Sequence, residues 1–317
     1  MRVLVGSFGN ELSLFEHDGK NFRHLPPSVE VSAPTFLAVH SKLPIVYVVS
    51  ESDVGAVTAF RLAADGSPRP ASRLPTGGAE PCHVAVSADG RHVVCANYGT
   101  GNVSVFATRP DGDLDRRSDV VRHVGSGPNP ERQEGPHAHQ VTVLGDTVSA
   151  VDLGTDQIVH YGLSADGRLQ PAGVTTCPAG SGPRHLVIHP SGRRFLANEL
   201  ASTISTYDAS YQLVDSQPAT LVGPDGDNLP SELVLSPDGR YLYLANRGND
   251  SIVTFAVTDS GLRPLDEVAT GGAWPRHIAI VEDSLLVANQ RADTITALRI
   301  DPDSGVPGPA VEVAALP

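Results

Sequence analysis

Two histidines lie two residues apart in EGPHAHQ, at His137 and His139, and further basic and acidic residues recur in similar settings downstream: Arg184 and His185 in GPRH, Glu199 in ANEL, Arg247 in ANRG, Arg276 and His277 in WPRH. Imidazole and carboxylate groups can move protons, and guanidinium groups can hold a carboxylate, a phosphate or a developing oxyanion. His137, His139 and Asp152 are also three potential metal ligands, and a repeated His such as His83, His185 or His277 can equally be a buried structural side chain. Chemistry therefore depends on whether these residues meet.

The elements that must position them repeat along the chain. Segments beginning at Ala33, Glu80, Gly135, Gly182, Leu229 and Trp274 each carry a proline, an alternating apolar run, a turn, a second apolar run and usually an Asn. The spacing of about 47 residues, with period-two alternation and Val, Ile and Tyr, predicts four-stranded propeller blades rather than helical repeats. Asp89-Gly90 and Asp238-Gly239 read as turns closing the first hairpin of a blade. Six such units fill most of the chain. The N-terminal 1–15 and C-terminal 306–316 segments are each too short to be a blade, so the reading is that they join to make a seventh. The expected fold is all-β, a seven-bladed β-propeller closed by pairing of the N- and C-terminal strands, in a single domain over 1–317; six blades is the alternative.

In an antiparallel hairpin, the start of the first strand and the end of the second lie at the same edge. The Pro-x-His corners and the Asn-x tails should therefore gather at one rim. That rim would carry His83 and Asn97; His137, His139 and Asp152; Arg184, His185, Asn198 and Glu199; Glu232, Asn246 and Arg247; Arg276, His277, Asn289 and Gln290. Recurring Asn residues suit tying off loop backbone. Residues that break the repeat are the better functional candidates: His139 in a corner with one extra residue, Glu199, Arg184 and Arg247.

Composition bounds the function classes. The 317 residues carry 23 Lys and Arg against 36 Asp and Glu, a formal net charge of −13, which disfavours nucleic acid and anionic membranes as partners. The start, MRVLVGSFGNELSL, reads as a strand rather than a signal peptide or a spanning helix. Three Cys without metal-ligand spacing suit a reducing compartment, so a cytoplasmic location is expected. Cys82 and Cys95 flank the Asp89-Gly90 turn and are expected to be near each other. A monomer is expected.

GPHAHQ with VDLGTDQIVHY, GPRHLVIHPSGRRFLANEL with STISTY, and SELVLSPDGRYLYLANRGNDSI together resemble the bacterial lactonase family of seven-bladed propellers, of 6-phosphogluconolactonase type. The fungal carboxy-cis,cis-muconate cyclase is similar, with a proposed site of one His, two Arg and one Glu. By motif these fall on His139, Arg184, Arg247 and Glu199. The resemblance implies a lactonase acting on a sugar-derived lactone, most directly 6-phosphogluconolactone, in the axial cleft without metal or other cofactor. His139, Glu199, Arg184 and Arg247 would be catalytic; His137, His185, Asn198, Asn246, Arg276 and His277 would contact an anionic lactone. A cycloisomerase of the muconate-lactonizing type and a non-catalytic binding platform are the alternatives.

Overall fold

A computed structural model describes residues 1–17, 22–223 and 226–315. Among these residues every regular element is a strand, and the strands form seven antiparallel sheets. Six sheets have four strands, each hydrogen-bonded to its neighbour in chain order. The first strands of these six are Leu37–Val39, Pro81–Val86, Ala138–Leu144, Pro183–Ile188, Leu229–Leu235 and Pro275–Val281. This is the all-β, seven-bladed propeller class expected from the repeat.

The seventh sheet is assembled differently from the sequence reading. N-terminal strands Arg2–Val5, Glu11–His17 and Phe22–Glu30 form a three-stranded sheet of their own. C-terminal strand Pro307–Ala315 pairs with Thr294–Ile300 and completes the last four-stranded sheet. Among the described residues the two ends therefore belong to separate sheets. The reason is a strand that the sequence conceals: FRHLPPSVE, with two prolines and no clean alternation, supplies the third strand at the N-terminus. Proline is tolerated there because the strand lies at the edge of its sheet.

Two compact units can be described within the chain. One holds the first four sheets and runs to Gly180; the other begins at Ser181 and holds the last three. In each unit the apolar side chains pack between adjacent sheets. Phe195, Leu242, Leu244 and Phe255 fill the space between the fifth and sixth sheets, and Val94, Val105, Val141 and Tyr161 that between the third and fourth. A fully buried aromatic such as Phe195 or Phe255 contributes about 2–3 kcal/mol on transfer from water.

Turn chemistry sets the hairpins locally. Gly90 donates its N–H to the carbonyl of Ser87 at 2.8 Å with φ 79°, and Gly239 does the same to Ser236 at 2.9 Å with φ 72°. Left-handed φ at these positions is the reason for glycine. Cys95 lies opposite Val84, while Cys82 falls at an irregularity two residues earlier; all three Cys are free and buried.

Candidate active site

The functional side chains are aimed by a repeated backbone irregularity. In the fifth sheet Pro183 pairs with Asn198 and His185 with Ala197, leaving Arg184 unpaired. The strand register likewise steps over Arg276 between Pro275 and His277 in the seventh sheet, over Cys82 in the third, and over His139 between Ala138 and Gln140 in the fourth. The sixth leaves both Ser231 and Glu232 between Pro230 and Leu233. Such bulges bend a strand and re-aim the extra side chain, which is why they recur beside active sites. The register also corrects the sequence reading of the fourth sheet: His139 is the counterpart of Arg184, not an additional corner residue. Before the corner prolines the chain enters in the left-handed region, at Ala33, Glu80, Gly182 and Trp274, with φ of 41°, 51°, 57° and 66°.

Within the second unit, Arg184, Glu199 and Arg247 meet. Glu199 follows directly on the second strand of the fifth sheet, Arg194–Asn198, and its Oε2 lies 3.0 Å from Nε of Arg184 and 2.6 Å from Nη2 of Arg247. All three side chains are buried, at 2%, 3% and 6% exposure respectively. Arg247 also donates from Nε to the carbonyl of Leu229 at 3.0 Å and from Nη2 to that of Pro230 at 3.3 Å. Arg184 donates from Nη1 to the carbonyl of Ser231. Its Nε, although in ion-pair range of Glu199, has no aligned hydrogen-bond acceptor. Burial, and then the neighbouring charge of Arg247, push the Arg184 guanidinium down to about 9, against the opposing pull of Glu199. Two buried guanidiniums thus share one carboxylate oxygen, a donor-rich group suited to receiving an anionic ligand.

A second carboxylate sits beside this group. Glu232 accepts from Nδ1 of His185 at 2.8 Å through Oε1 and from Nδ1 of His277 at 2.8 Å through Oε2. The backbone N–H of Leu233 adds a third donor at 3.1 Å. Although burial alone would raise its proton affinity, the facing imidazoles His185 and His277 hold Glu232 well below the ordinary carboxylate range. Burial pushes His185 down to about 4, so it is a neutral N–H donor to an ionised Glu232. His277 differs in being half-exposed, with 49% of its side chain accessible. Sequence reasoning put Glu232 at the rim without assigning it to the site. Its signal was its position, because Pro-Ser-Glu stands where the fifth and seventh sheets have Pro-Arg-His.

In the first unit, His139 is buried and its ring meets Tyr98 edge-on at 5.6 Å. His137 stacks on Tyr98 at 4.5 Å, and its ring nitrogens face the Tyr98 carbonyl at 3.0 Å and Glu134 at 3.1 Å. Asp152 is committed to the backbone: Oδ1 accepts N–H groups of His137, Gly154 and Thr155, and Oδ2 lies 2.6 Å from His123. No group of three His, Cys, Asp or Glu that could hold a metal occurs among the described residues.

Two residues expected at the substrate turn inward instead. Asn198 is fully buried and donates to Thr203 Oγ1 at 2.9 Å and Ser205 Oγ at 2.8 Å. Asn246, also fully buried, donates to the Ala219 carbonyl and accepts from Asn228, each at 2.9 Å. Both tie strand ends together, as buried amides must find partners. Arg276 remains partly exposed next to His277.

Seven antiparallel sheets with guanidinium, imidazole and carboxylate groups at their bulges define a β-propeller with clustered polar side chains. Over residues 3–317 the sequence matches the model of the family described as Lactonase, 7-bladed beta-propeller, and the chain belongs to that family. It is 31% identical over 292 residues to the 6-phosphogluconolactonase of Bacillus subtilis (strain 168), covering 88% of this chain and 83% of that protein. It is 28% identical over 330 residues to the 6-phosphogluconolactonase of Formosa agariphila, covering 96% and 93%. The fold superposes on the periplasmic gluconolactonase of Pseudomonas aeruginosa with a TM-score of 0.93 at 30% identity, covering 99% of this chain and 96% of that one.

Proposed function

We propose that this protein, a lactone hydrolase by family, opens a sugar-derived lactone, with 6-phosphogluconolactone the first substrate to test, by acid/base catalysis that needs no metal. The observation that carries the reading is the pair of buried guanidiniums, Arg184 and Arg247, sharing Oε2 of Glu199. These guanidiniums would hold a phosphate or carboxylate on the substrate or stabilise the oxyanion that forms when water attacks the ring carbonyl. Glu199 braces both guanidiniums. The proton of the attacking water passes to an imidazole, and the departing ring oxygen takes a proton back.

The test is turnover of freshly prepared 6-phosphogluconolactone, corrected for spontaneous hydrolysis, alongside its dephosphorylated analogue. Hydrolysis by the wild type, with loss of about 100-fold or more in kcat/KM for Arg184→Gln or Arg247→Gln, is the expected result. Equal turnover by wild type and both variants would refute the assignment, and preference for the dephosphorylated lactone would move the substrate away from sugar phosphates.

A further inference from the structure

Lactone hydrolysis needs a group that accepts a proton from water, and Glu199 is poorly suited to be that group. Its Oε2 already contacts two guanidiniums, and a proton taken up there would leave two buried cations facing one another. We infer that His277 is the general base of the reaction and that Glu232 is the residue that positions it; this rests on the lactonase reading above.

The geometry follows the logic of a carboxylate-oriented histidine. Glu232 lies 2.8 Å from Nδ1 of His277 and is ionised, so the ring proton sits on Nδ1 and Nε2 carries the lone pair. The carboxylate cannot swing away, because His185 and the Leu233 N–H hold it as well. Of the two imidazoles on Glu232, only His277 is open: 49% of its side chain is exposed, against 3% for His185. His185 is a brace and His277 is the one substrate can reach.

The guanidinium pair is close by. Arg184 reaches the carbonyl of Ser231, the residue preceding Glu232, and the charges of Glu232 and Arg276 act on Arg184. His277 thus faces Glu232 on the sixth sheet, which also holds His185 of the fifth, with Arg276 preceding it on its own strand and Arg184 reaching the backbone one residue before Glu232.

In the step, Nε2 of His277 takes a proton from water as the water oxygen bonds to the lactone carbonyl carbon. The carbonyl electron pair moves onto oxygen beside the guanidiniums. When that pair returns, the ring C–O bond breaks, and the imidazolium gives its proton to the departing ring oxygen. One water is consumed, one hydroxy acid is formed, and His277 ends neutral. Glu232 stabilises the imidazolium in between.

The experiment compares wild type with His277→Gln, His277→Ala and Glu232→Gln. Binding of the product, 6-phosphogluconate, is followed through Trp274, the single tryptophan, whose ring lies 5.6 Å from the Arg247 guanidinium. His277→Gln should lose roughly 100-fold in kcat while KM and product binding stay within about twofold. Added imidazole should restore part of the rate of His277→Ala. Glu232→Gln should lower kcat at least about tenfold while KM and product binding stay within about twofold, a split that a merely structural loss would not give. His277→Gln turning over within about threefold of an active wild type, while still binding product, would overturn the inference and leave the lactonase reading standing. A wild type that binds 6-phosphogluconate but hydrolyses no lactone would overturn the lactonase reading itself.

Discussion

Replacing Glu199 by Gln keeps the shape of the site and removes only its charge. The wild-type carboxylate faces Arg184 at 3.0 Å and Arg247 at 2.6 Å, all of it buried. At an effective dielectric of about 20, each contact is worth about 5–6 kcal/mol of attraction. Most of that is offset by the several kcal/mol spent desolvating each ion, so the expected net loss is the roughly 3–5 kcal/mol typical of a buried pair robbed of one partner. For a chain of this size this is a drop of roughly 5–8 °C in Tm. Thermal unfolding followed by circular dichroism, with and without 6-phosphogluconate, measures it. An anion entering the site replaces the missing charge, so the ligand should raise the Tm of Glu199→Gln by more than it raises that of the wild type. A variant that melts within about 2 °C of wild type and gains nothing extra from ligand would refute the claim that Glu199 neutralises two buried guanidiniums.

Other perturbations separate structural from chemical roles. The pKa of His185 falls from 6.5 to about 4 on folding, so the unfolded chain binds the extra proton in that interval; stability should fall as pH drops from 6.5 towards 4, and His185→Gln should flatten this part of the pH–Tm curve. Glu232, held low in the folded state, adds acid sensitivity below about 4.5, with the same sign. Asn198→Ala should cost about 1–3 kcal/mol in denaturant unfolding by stranding Thr203 and Ser205, yet leave KM for lactone unchanged; a raised KM would return Asn198 to the substrate. Ser50 stands where Asn97, Asn198 and Asn289 hold hydroxyls of their third strands. Its Oγ and that of Thr58 are buried without partners beside a cavity of about 280 Å³. Ser50→Asn should supply the missing hydrogen bond and stabilise by about 1 kcal/mol, read as a shift in the denaturant midpoint; an unchanged or lower midpoint would show that the amide does not fit.

The sequence by itself determined the local features: strand alternation, Asp-Gly turns and the recurring proline depend on neighbours in the chain, so the four-stranded repeat was legible, while the count of seven came out right although the terminal pairing behind it did not. The pairing of corner and tail was legible too, since a short hairpin permits little else, and Pro183 does face Asn198, as Pro275 faces Asn289. The third N-terminal strand was not, because an edge strand with one solvated face and two prolines leaves no periodic trace. Only the tertiary structure decided that His139 and Arg184 occupy equivalent bulges, for a bulge is a mismatch between two strands and neither strand records it alone. Packing between sheets likewise decided that Glu232 gathers His185 and His277 from 47 and 45 residues away, and that Arg184 and Arg247 share Glu199. Residue types name the chemistry that is possible; distances of about 3 Å between side chains on different sheets depend on the apolar layers that hold those sheets together.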